Sequence, residues 1–226
     1  MFGSAMDTEL VHLIVGEDEH QRRLEFDRKL LCAKVPFLQA MFNGHFPASD
    51  GEAHLPTDRA GAVEQLLSIL LYDAEAGIAR LPHAGGRSQD GESWNPFELY
   101  ALARKWCLLG ILDEIMDTLL WQHFWNEELP AVAFIRETYD RAPGNSMLRK
   151  YVLWAVRFAR GEGIPCGGEQ EWREFLEDYP DFEKDLQETV PTQELDPRAL
   201  LNRCEFHLHD AENPCRGRRL YNRRIQ

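Results

Sequence analysis

The chain has 226 residues, 44% of them hydrophobic and 28% charged, enough to bury a core in one or two domains. A formal charge of −13 argues against broad binding to nucleic acid or anionic membranes, whose phosphates it would repel. No apolar run approaches the length that crosses a bilayer, and the five cysteines, with no export signal, read as reduced thiols of a cytoplasmic or nuclear protein.

Val11, Leu13 and Val15 alternate with His12 and Ile14, and Leu24 and Phe26 alternate with Arg23 and Glu25. A period of two predicts two strands, each with one face turned to a core. Residues 16–21 between them hold no apolar side chain and predict a solvated hairpin loop. Residues 29–33 and 37–42 then read as helices that turn a sharp corner at Val35-Pro36, because proline cannot continue a helix and disfavours helical geometry before it. A brief third strand follows at Ala53-His54-Leu55. Val63, Leu66, Leu67, Leu70 and Leu71 form the stripe of a longer helix.

Between Leu81 and Pro96 the composition shifts to Gly, Pro and Ser, which predicts a flexible insertion. Asn95 is placed to cap the next helix, with Pro96 in its first turn and Leu99, Leu102, Ala103 and Trp106 on its buried stripe. Cys32 and Cys107 lie among apolar residues of predicted helices and read as small buried hydrophobes, and Gly110 marks the corner to a helix striped by Ile111, Leu112, Ile115, Met116 and Leu119.

These segments resemble the BTB/POZ family, in the form found in filamentous fungi. The resemblance rests on the paired strands, on Val35-Pro36-Phe37-Leu38 at the helix corner, on Leu70-Leu71-Tyr72 closing the long helix, and on the run 97–119. It covers roughly the first half of the chain. It implies an α+β fold with a small three-stranded sheet flanked by helical hairpins, followed by an all-helical extension. The implied domains are 1–125, with the insertion at 81–96, a helical extension at 126–190, and a tail at 191–226. It also implies a protein-interaction module without catalysis, which self-associates as a homodimer or acts as an adaptor for other proteins. In the family a cullin-type ubiquitin ligase is contacted through an apolar residue, any residue and a glutamate before the third strand. Phe42, Phe46 and Ala48 are the candidate partner-contacting residues here, and Ala48 stands where the acid belongs, which counts against a cullin.

Farther on, Trp121, Phe124 and Trp125 form an aromatic cluster that reads as packing the first domain onto the helices after it. Residues 130–139 and 147–158 predict two more helices, with Asn145 or Ser146 capping the second. Trp172, Phe175, Leu176, Tyr179, Phe182 and Leu186 are embedded in acids and broken at Pro180, an apolar stripe beneath a solvated face. Cys204, His207, His209 and Cys215 offer four soft ligands at close spacing, the donor set of a structural zinc site; the alternative is two unrelated thiols and a pair of surface histidines. Arg216, Arg218, Arg219, Arg223 and Arg224 come next and read as a solvated terminus. A second functional reading is a zinc-stabilised regulatory protein that touches nucleic acid through these arginines. No Gly-x-Ser-x-Gly elbow, His-Glu-x-x-His pair or dinucleotide-binding glycine fingerprint is present.

Overall fold

The computed structural model describes residues 9–45, 51–72, 95–125, 129–165, 167–188 and 204–208; the side chains of residues 45, 72 and 121–125 are not described. The fold is α+β, and the chain forms two compact units that part at Leu108 and Leu109. The sequence pattern divides it later, at residue 125.

The first unit is built on β1 (Leu10–Val15), β2 (Arg22–Asp27) and β3 (Glu52–Leu55) in the order β2-β1-β3. β2 runs antiparallel to β1 with Leu13 opposite Leu24 and Val11 opposite Phe26, so the two apolar faces coincide. β3 runs parallel to β1. Val11, Leu13 and Val15 are fully buried, as their alternation predicts, but Ile14 is only 9% exposed. The expectation that Ile14 faces solvent is wrong because β1 is the central strand. Arg23 of β2 and Glu52 of β3 pair at 3.0 Å across it, and His12 meets Glu25 at 3.2 Å. In this register His12, Ile14, Arg23 and Glu52 share one face, so the ion pair roofs Ile14.

Gly16 opens the hairpin turn with φ +83°, and a Cβ there would lie 3.0 Å from the His20 carbonyl oxygen. The Asp27 carboxylate then accepts from the Leu30 amide at 2.7 Å and starts α1 (Arg28–Lys34). The corner falls at Val35, and α2 (Pro36–Ala40) begins on the proline. A wider turn, Met41–His45, closes with Gly44 at φ +87°. The Arg28 guanidinium pairs with Glu9 and donates to the Phe42 carbonyl at 2.9 Å, tying the sheet to the end of α2.

α3 (Ala60–Tyr72) buries Val63, Leu66, Leu67 and Leu71, with Leu70 half-buried. α4 (Pro96–Lys105) packs on α3, and Asn95 Oδ1 accepts from the amides of Phe97 and Glu98 at 3.0 and 3.3 Å. Arg59 bonds Glu98 at 2.6 Å, and Lys105 bonds Asp58 at 2.8 Å. Trp106 is fully buried and stacks on Phe37 with centroids 5.9 Å apart. The chain turns at Cys107, not Gly110: Cys107 has φ +57° and is exposed, and Gly110 lies inside the following helix. The expectation of a buried Cys107 is corrected accordingly. Cys32 is half-buried, and burial raises its thiol pKa above the usual value. The insertion at 81–94 lies outside the described residues.

The second unit starts with α5 (Leu109–Trp125), whose stripe of Ile111, Leu112, Ile115, Met116 and Leu119 is buried as expected. α6 (Val132–Arg141) packs on α7 (Met147–Glu162), α8 (Glu169–Asp178) on α6, and α9 (Phe182–Glu188) on α7. Ser146, not Asn145, caps α7, its hydroxyl accepting from the Arg149 amide at 3.2 Å. Arg149 donates to the carbonyls of Ala142 and Tyr139 at 2.9 and 2.8 Å, closing the C-terminal end of α6. Among the described residues no helix is long and apolar enough to cross a membrane.

Left-handed backbone costs a non-glycine residue about 1–2 kcal/mol. Gly16→Ala is therefore expected to lower the stability read from urea denaturation by at least that amount, because it adds a clash to the strain. Cys107→Gly is expected to leave stability unchanged or raise it by up to about 1 kcal/mol, with an unaltered slope.

Candidate functional site

Two constellations in the second unit gather polar chemistry. The first lies where the acidic stretch meets α6. Tyr139, Trp172, Phe175, Tyr179 and Phe182 pack ring on ring, with centroids from 4.9 Å (Phe175–Tyr179) to 6.1 Å (Tyr139–Phe175). Phe175 and Phe182 are fully buried and Leu186 nearly so, as an apolar stripe beneath acids requires. The acids are used within the chain. The Tyr139 hydroxyl donates to Asp185 at 2.9 Å, the Tyr179 hydroxyl to Asp140, Arg136 pairs with Asp178, and Arg160 meets Glu183 at 2.6 Å. The Arg160 bond holds Glu183 below the usual carboxylate range. A cleft of about 380 Å³ opens beside this cluster, lined among others by Tyr139, Arg149, Tyr179, Lys184 and Asp185. The Arg149 guanidinium lies 4.3 Å from the centre of the Tyr139 ring and is already engaged by two carbonyls.

Residues 204–208 form the second constellation, an irregular segment seated on α5 and α7. Phe206 is 1% exposed, edge-on to Tyr151 at 5.6 Å and to Trp154 at 6.1 Å, with Lys150 Nζ 5.8 Å from its centroid. Lys150 also donates to the Glu205 carbonyl at 2.9 Å and pairs with its carboxylate at 2.7 Å. His207 Nε2 meets Asp117 Oδ1 at 2.8 Å, with the imidazole 4% exposed, and the Leu208 amide donates to Asp113 Oδ1 at 2.6 Å.

Of the four proposed zinc ligands, Cys204 and His207 fall in this segment, and the His207 amide donates to the Cys204 carbonyl at 3.3 Å. His209 and Cys215 lie outside the described residues, as do the terminal arginines. Among the described residues no group of three or more His, Cys, Asp or Glu is placed to hold a metal. The His207–Asp117 bond is of the kind that orients metal-binding imidazoles, but its partner acid comes from α5, not from the proposed ligand set. Phe42 is 9% exposed with its carbonyl held by Arg28, so its ring is packed in the first unit. Phe46 and Ala48 lie outside the described residues.

Sequence reasoning passed over Asp113 and Asp117. Their signal is present: Asp113 stands beside the buried stripe of α5, and a buried carboxylate needs a partner because leaving it unpaired is costly; Asp117 lies one turn on, half-buried. No protein-family model and no curated protein matches this chain.

Burial, reinforced by Asp185, pushes the Tyr139 hydroxyl pKa well above its ordinary value, and burial does the same to Tyr151. Both protonated hydroxyls support the fold below the free tyrosine pKa of about 10, and that support is lost as pH rises toward the folded values. Stability is thus expected to fall above pH of about 10, and Tyr139→Phe should move the alkaline midpoint upward without abolishing it, since Tyr151 remains. Zinc stands as a proposal. Purified protein should then carry about one zinc per chain, lost on Cys204→Ser. Metal-free protein whose melting temperature ignores chelator would remove it.

Proposed function

We propose that the chain is a protein–protein interaction module of BTB/POZ type, self-associating or acting as an adaptor, without catalysis. The observation that carries this reading is the order of the first unit. A central strand lies between an antiparallel neighbour and a parallel one, and the α1–α2 corner, the third strand and α3 come in the order that the resemblance implies.

Surface chemistry adds support. Leu10 and Leu30 are 48% and 40% exposed. Both adjoin Asp27, Leu10 as its cross-strand partner and Leu30 through the helix cap, so they share one corner of the sheet and α1. Exposed leucines at a rigid corner are the apolar centre that a docking face needs. Asp185, Asp140, Asp178 and Glu183 of the second unit, by contrast, are committed to aromatic hydroxyls and arginines, an arrangement that stabilises.

Sedimentation across a concentration series is expected to show mass rising above the 26.2 kDa of one chain, and Leu10→Glu with Leu30→Glu is expected to hold the protein at that mass. A single-chain mass at every concentration for the unaltered protein would remove self-association. Because Ala48 replaces the acid of the contact motif, purified protein is expected not to retain a cullin. Retention abolished by Phe46→Ala would establish the narrower ligase-adaptor role instead.

A further inference from the structure

We propose that the face of α5 and α7 under residues 204–208 is a peptide-binding site occupied in cis, and that it takes from partner proteins a segment that turns, as this one does, at an aromatic residue followed by histidine. The proposal concerns the second unit and stands apart from the BTB/POZ reading.

The seat has the parts of a recognition site. An aromatic anchor fills an apolar socket: Phe206 sits against Tyr151 and Trp154 and is 1% exposed. Polar groups then fix its direction and register. Lys150 holds the carbonyl before the anchor, Asp117 takes the imidazole after it, and Asp113 takes the next amide. Among the described residues the occupant forms no helix or strand, and its placement comes from these contacts with two helices distant in sequence.

The receptor bears a cost that only an occupant relieves. Asp113 is 5% exposed, and its buried neighbours along α5 are Leu112, Glu114, Ile115 and Met116. Carboxylates there weaken a simple core and are justified by the amide and the imidazole that reach them. Trp154 is 7% exposed, and its indole N–H has no hydrogen-bond partner among the described residues. The built-in segment therefore leaves the N–H of a socket-wall ring unmatched. A partner segment placing a carbonyl there would bind better than the occupant it displaces.

Residues 189–203 tether the occupant to α9, and so short a linker keeps it at an effective concentration on the order of millimolar. A free copy of the segment competes poorly with it. The seat is revealed by weakening the occupant, not by adding ligand.

The test uses the full chain and a fluorescent peptide of residues 203–210. Phe206→Ala empties the socket in cis, and the variant is expected to bind the peptide saturably, at least about 10-fold more tightly than the unaltered chain. Adding Asp117→Ala should weaken that binding by about 10-fold, and a peptide with Phe206→Ala should not bind. If Phe206→Ala fails to fold, His207→Ala removes the contact with Asp117 while leaving the Phe206 anchor, and is read the same way. A folded variant that binds no peptide, or binds no better than the unaltered chain, overturns the proposal. Failure of both variants to fold also overturns it, because residues 204–208 would then be core and not ligand.

Discussion

β1 governs the first unit. Its side chains are buried on both faces, so its amides and carbonyls must be satisfied by a strand on each edge. The antiparallel neighbour comes cheaply, through a tight turn at Gly16. The parallel neighbour does not, because parallel strands need a crossover of a dozen residues or more. β2, α1 and α2 fall within that crossover, and the cap at Asp27, the proline at the corner and the reach of Arg28 to the Phe42 carbonyl are what hold it in shape. Each apolar side chain enclosed this way contributes about 1.5–3 kcal/mol. The surface pair of Arg23 and Glu52 contributes less than about 1 kcal/mol, and its larger effect is to cover Ile14.

The second unit solves a different problem, that of placing many acids beside aromatic rings. Its answer is to give the acids phenolic and guanidinium donors from neighbouring helices. Asp185 and Asp140 receive tyrosine hydroxyls, and Asp178 and Glu183 receive arginines. Rings gain edge contacts among themselves while their polar tips stay satisfied. α8 and α9 are too short to be stable helices alone, so these cross-helix bonds fix where they sit.

Much of the architecture was legible in local chemistry. Alternation marked β1 and β2, Pro36 marked the corner, and Asn95 and the 145–146 pair marked helix starts, because each of these depends on residues a few positions apart. What escaped depends on distant partners. The burial of Ile14 requires knowing that β3, some forty residues later, lies on the other edge of β1. Cys107 looked like a helix-interior residue because nothing beside it announces a left-handed turn. Asp113 and Asp117 carry no legible role until a segment ninety residues onward supplies an amide and an imidazole. His207 drew attention as a ligand for metal, and the carboxylate that its Nε2 meets lies on a helix ninety residues earlier.

Among the described residues β2 has a neighbour on one edge only, and along that strand Arg22, Arg23, Glu25 and Asp27 alternate closely with just two apolar side chains. Lengthening the sheet from this side would strip water from charged groups that no incoming strand is bound to match. Growth of the sheet from the β2 edge is therefore discouraged. The strand that satisfies one edge of β1 thus also shields the sheet on that side.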